Sequence, residues 1–87
     1  MGYYYTFINR TTKEIKVTVD IPGGGQHSVN ISGHGTNSSI WRGSKTNTCR
    51  VVVKFVKGSG SIYTNKAPGR YEIYLDRRNA LQISLLE

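Results

Sequence analysis

The 87-residue chain holds a single cysteine, Cys49, so no disulfide can close within it. Nothing therefore marks it as a disulfide-stapled secreted module. Acidic side chains are scarce as well: five Asp and Glu stand against twelve Lys and Arg, for a net charge of +7. No acid falls between Asp20 and Glu72, an interval that carries Arg42, Lys45, Arg50, Lys54, Lys57, Lys66 and Arg70. A positive stretch of this kind favours polyanions: nucleic acid, an anionic membrane or an acidic protein. Long apolar runs are missing, since Val51–Val53 is far too short to cross a bilayer. The start has neither the charged nor the apolar region of a signal peptide, so a cytoplasmic location without membrane insertion is expected. Three glycosylation sequons, at Asn9-Arg10-Thr11, Asn30-Ile31-Ser32 and Asn37-Ser38-Ser39, are then incidental. Gly2 followed by Thr6 formally matches a myristoylation signal, but the bulky Tyr3 directly after the glycine fits that signal poorly.

Helical spacing is nearly absent, and apolar residues instead recur at every second position, the period of a half-buried strand. Ile15, Val17, Val19 and Ile21 alternate with Glu14, Lys16, Thr18 and Asp20. Val29 and Ile31 repeat the pattern, as do Cys49, Val51, Val53 and Phe55 against Arg50, Val52, Lys54 and Val56. The partly apolar second face of that run predicts a central or partly covered strand. Tyr71, Ile73 and Leu75, then Leu81, Ile83 and Leu85, complete the series, with shorter strands at Ser38–Trp41 and Ser61–Thr64. Between them stand Gly, Pro, Asn, Asp and Ser clusters, which supply positive φ, fixed φ or local hydrogen bonds. Seven or eight strands at this spacing predict one all-β domain over 1–87, a small antiparallel sandwich or barrel joined by hairpins and Greek-key arches. The expected core comprises Phe7, Ile15, Val17, Val19, Val29, Ile31, Ile40, Cys49, Val51, Val53, Phe55, Ile62, Tyr71, Ile73, Leu75, Leu81, Ile83 and Leu85. Strand alternation splits the opening tyrosines: Tyr5 shares the phase of Phe7 and belongs to the core or its edge, and Tyr4 faces outward. Tyr71, soon after a turn, is placed to hydrogen-bond back to the backbone at a corner.

Catalytic and cofactor signatures are lacking. Pro22-Gly23-Gly24-Gly25 leads into a strand rather than a helix, which argues against a phosphate-binding glycine loop. His27 and His34, seven apart with one distant cysteine, do not form a zinc pattern. The few carboxylates sit on polar strand faces, and Cys49 alternates in phase with buried valines, so neither acid–base nor thiolate catalysis is indicated. A non-enzymatic protein without cofactor or metal is expected.

What remains is a set of rings and cations pointing away from the core. If Ile40 and Ile62 face inward, Trp41 and Tyr63 face outward, as Tyr74 does by the phase of its own strand. Rings beside Lys and Arg on an exposed sheet are how small β domains stack unpaired bases while neutralising phosphates. The expected ligand-binding residues are Trp41, Arg42, Lys45, Arg50, Lys54, Lys57, Tyr63 and Tyr74, acting on single-stranded nucleic acid or another anionic surface. Two alternatives use the same aromatics: a lectin-like module for glycans, built on Trp41, Tyr74 and the Asn-rich turns, or a protein-interaction, inhibitor or assembly module. Neutral polar residues on some outer faces make an edge-strand homodimer a further expectation.

Overall fold

A computed structural model describes residues 4–21, 23–41 and 48–86, with Trp41 described by its backbone alone. Eight strands form: β1 Tyr4–Asn9, β2 Ile15–Ile21, β3 Gly25–Ile31, β4 Thr36–Trp41, β5 Cys49–Phe55, β6 Ser61–Lys66, β7 Gly69–Leu75 and β8 Leu81–Leu85. They build two four-stranded sheets, ordered β4-β1-β7-β8 and β3-β2-β5-β6. Most of the strands arise from runs of alternating hydrophobicity, so each sheet has one apolar face, and the two apolar faces close on each other as a small β-sandwich. β2 and β5 lie at the centre of the second sheet, as the two-sided apolar character of β5 predicts.

One pairing departs from the all-antiparallel expectation: β1 and β7 run parallel, with Tyr5 opposite Gly69 and Asn9 opposite Ile73. The restriction to antiparallel neighbours holds for strands joined by short turns. β1 and β7 are instead joined through the whole second sheet, so their relative direction is free of any one turn.

The core gathers Phe7, Ile15, Val17, Val19, Ile31, Ile40, Cys49, Val51, Val53, Tyr71, Ile73 and Leu81, with Val29, Phe55, Ile62, Leu75 and Ile83 packed at its margin. Leu85 corrects the expectation: it is 60% exposed, because it ends an edge strand where no further strand covers it. Tyr5 is fully buried. Its ring lies 6.1 Å from Phe7, which lies 6.0 Å from Tyr71, so three rings line the inner face of the first sheet. The two hydroxyls escape burial without partners in the same way: Tyr5 donates to the Lys66 carbonyl at 2.7 Å, and Tyr71 donates to the Ala67 carbonyl, closing the corner expected of it. Burial raises the Tyr71 phenol above its ordinary pKa. Tyr4, by contrast, is 55% exposed.

A polar knot missed by the alternation rule holds the sheets in register at one end. Asn9 is wholly buried, and its amide donates to the carbonyls of Lys13 and Ile31 at 2.8 and 2.9 Å. Its Oδ1 accepts from the Thr11 backbone N–H and hydroxyl at 3.0 and 2.7 Å. The β1–β2 connection is thus tied to the end of β3, and Gly33 lies so close that a Cβ there would stand 2.6 Å from the Thr11 carbonyl oxygen. With both amide hydrogens engaged inside the protein, the Asn9 sequon is closed to glycosylation in the folded chain.

Candidate basic and aromatic surface

On the second sheet the register sets outward residues in rows that run across all four strands. The rows are Asn30–Lys16–Lys54–Ser61, Ser28–Thr18–Val52–Tyr63 and Gln26–Asp20–Arg50–Asn65, each written from β3 to β6. The alternation that buries Val17, Val19, Val51 and Val53 is what turns Lys16, Arg50 and Lys54 to solvent. Tyr63 is 65% exposed, and the Arg50 guanidinium lies over its ring, 5.1 Å from the centroid. Asp20 faces Arg50 in register, yet the one ion pair among the described residues is elsewhere, between Arg10 and Glu72. Arg50, Tyr63, Thr64 and Asn65 line a shallow open groove of about 320 Å³.

Lys16 and Lys54 stand directly opposite on neighbouring strands. Like charges in that position are unfavourable in folding, by a few tenths of a kcal/mol. A bound anion would relieve them. The face therefore combines an open ring already stacked on a guanidinium with a row of cations, an arrangement suited to a flat π system joined to phosphate.

The sequence-predicted residues do not share one face. Arg50, Lys54 and Tyr63 come together as described. Tyr74 lies on the other sheet, half-buried, with its hydroxyl 3.1 Å from that of Ser84, so it covers its sheet instead of standing free. Lys57 sits in the β5–β6 connection at the end of the sandwich. Trp41 belongs to β4, where its backbone pairs with Tyr4, again on the other sheet; its side chain, Arg42 and Lys45 lie outside the described residues. Two members of the surface were not anticipated. Lys16 was readable as outward but not as a neighbour of Lys54, and Asn65 joins Arg50 only through the β5–β6 register.

His27 is exposed on β3 and His34 occupies the β3–β4 turn with φ 65°, and among the described residues no three His, Cys, Asp or Glu side chains gather in reach of one metal ion. No helix of the described residues is long and apolar enough to cross a membrane. No family model, curated protein or solved structure matches the chain.

Proposed function

We propose that the chain is a non-enzymatic binding module for single-stranded nucleic acid, which it takes on the outer face of the second sheet. The observation that carries this reading is the exposed Tyr63 ring stacked on Arg50 beside the Lys16–Lys54 row. In this reading a base stacks on the Tyr63–Arg50 pair, Asn65 offers an amide to its edge, and Lys16 and Lys54 meet the phosphates on either side. An anionic surface without bases would use the cations but gain nothing from the ring, so Tyr63 separates the two. The test is NMR shift perturbation with a short oligouridine: shifts should cluster on Lys16, Arg50, Lys54, Tyr63 and Asn65. Shifts confined to the first sheet, or none, would remove the reading.

A second observation favours self-association. β3 is an edge strand, and Gly25–Ile31 contains no Lys, Arg, Asp, Glu or Pro to guard it. Pairing with a second copy along β3 predicts a dimer in light scattering, and a monomer at every concentration would exclude it.

A further inference from the structure

Strands alternate in direction along each antiparallel pairing, and β7 runs with β1, so the connections β1–β2, β3–β4, β5–β6 and β7–β8 share one end of the sandwich. Three of them are basic, carrying Lys13, Lys57, and the neighbouring Arg77 and Arg78. Between these connections an open groove of about 480 Å³ reaches Phe55 and Leu75, the last residues of β5 and β7. Lys13 and Lys57 line both this groove and an adjoining depression of about 380 Å³ bounded by Val56 and Glu14. No carboxylate lines the larger groove among the described residues.

The walls are held by backbone bonds. Val56 N–H donates to the Glu14 carbonyl at 3.1 Å, and Phe55 N–H to the Gly60 carbonyl at 3.3 Å. On the opposite side, Asp76 caps the β7–β8 turn by accepting from the Arg78 and Ala80 N–H groups at 2.8 and 3.0 Å. The Lys13 ammonium is 5.8 Å from the centre of the Phe55 ring, drawn over the apolar floor. A cation beside a half-covered apolar floor is poorly served by either a bare anion or a neutral ring. The first leaves Phe55 and Leu75 in water, and the second leaves the ammonium unmatched.

We infer that this groove binds a small amphipathic anion, a carboxylate or phosphate ester on an aromatic or short aliphatic body. Lys13 and Lys57 hold the anionic group, and the body rests on Phe55 and Leu75. The volume falls in the usual range for small-molecule sites, about 300–1,000 Å³. The site is separate from the Tyr63 face, and its occupation does not depend on nucleic-acid binding there.

The experiment is an NMR titration of the full chain with phenyl phosphate, using inorganic phosphate and phenol as controls. Phenyl phosphate should shift the amides of Lys13, Phe55, Lys57, Leu75 and Asn79, while each control shifts them far less at the same concentration. Lys57→Gln should weaken phenyl phosphate about fivefold, and Tyr63→Ala should leave it unchanged. Four outcomes would overturn the inference: equal shifts from inorganic phosphate, shifts confined to the Arg50–Tyr63 face, full affinity in Lys57→Gln, or capture by phosphatidylglycerol vesicles without any response to phenyl phosphate.

Discussion

On the outer face of the first sheet, polar groups are matched to one another: Arg10 stands 3.5 Å from Glu72, the Tyr74 hydroxyl meets Ser84, and Thr6 meets Ser39 at 3.0 Å. On the outer face of the second, Thr18 meets Ser28 at 3.0 Å, but two lysines oppose each other and an arginine lies on an exposed ring while Asp20 stands near. Both faces are polar and both come from the same alternation of residues. The first also exposes a ring, Tyr4, but opposes no like charges among its described registers; the second opposes Lys16 to Lys54 and lays Arg50 on Tyr63, which the proposed function accounts for by a bound polyanion. Basic composition alone does not separate the two faces, whereas the placement of charge against charge does.

Breaking the link between the faces should have the largest effect. Asn9→Ala deletes four hydrogen bonds, three of them buried, and takes one donor each from the Lys13 and Ile31 carbonyls. It should lower unfolding stability by about 3 kcal/mol, read from the urea midpoint. Next comes Tyr63→Ala, expected to weaken oligouridine binding about tenfold, the weight of one stacked base. Tyr74→Ala on the opposite face should leave affinity unchanged, and equal losses from the two would erase the contrast between the sheets.

The smaller effects differ in sign. Arg10→Gln opens a largely solvated ion pair and should cost about 0.5 kcal/mol of stability, with no change in oligonucleotide affinity. Lys54→Gln removes one of two opposed cations, so it should raise stability by about 0.3 kcal/mol at low salt while weakening binding. The smallest concerns Asp76. The N–H groups of Ala80 and Arg78, with the Gln82 amide, hold its carboxyl below the ordinary carboxylate pKa. A lowered folded-state pKa stabilises above the unfolded value and is lost as pH falls through the folded one. The protection factors of the Arg78 and Ala80 amides, with exchange corrected for its intrinsic pH dependence, should accordingly fall only on acidification below the usual carboxylate range.

The strands and most of the core are legible in the sequence because burial on one face imposes a period of two, visible in Ile15–Ile21 and Cys49–Phe55 without any knowledge of neighbours. Ile8 shows the limit. It is in the outward phase yet nearly buried, on a strand that sits between β4 and β7, with Asn37 and Glu72 in register on either side. Asn9 and Thr11 read as ordinary turn residues, and their burial depends on Ile31 and Gly33, some twenty residues away. For the surface, phase gives the direction of Arg50, Lys54 and Tyr63 but not which strands are neighbours, so Tyr74 and Trp41 could not be separated from them. The basic end was within reach: in an alternating chain every second connection falls at the same end, and that rule alone unites Lys13, Lys57, Arg77 and Arg78.

The central claim, that the second sheet's outer face engages a polyanion through its cations, is tested most directly by oligouridine affinity measured across a salt series. With Lys16 and Lys54 at phosphates, the logarithm of the association constant should fall with the logarithm of salt at a slope of about −1.4, and Lys54→Gln should flatten it. An affinity that does not change with salt would contradict the account.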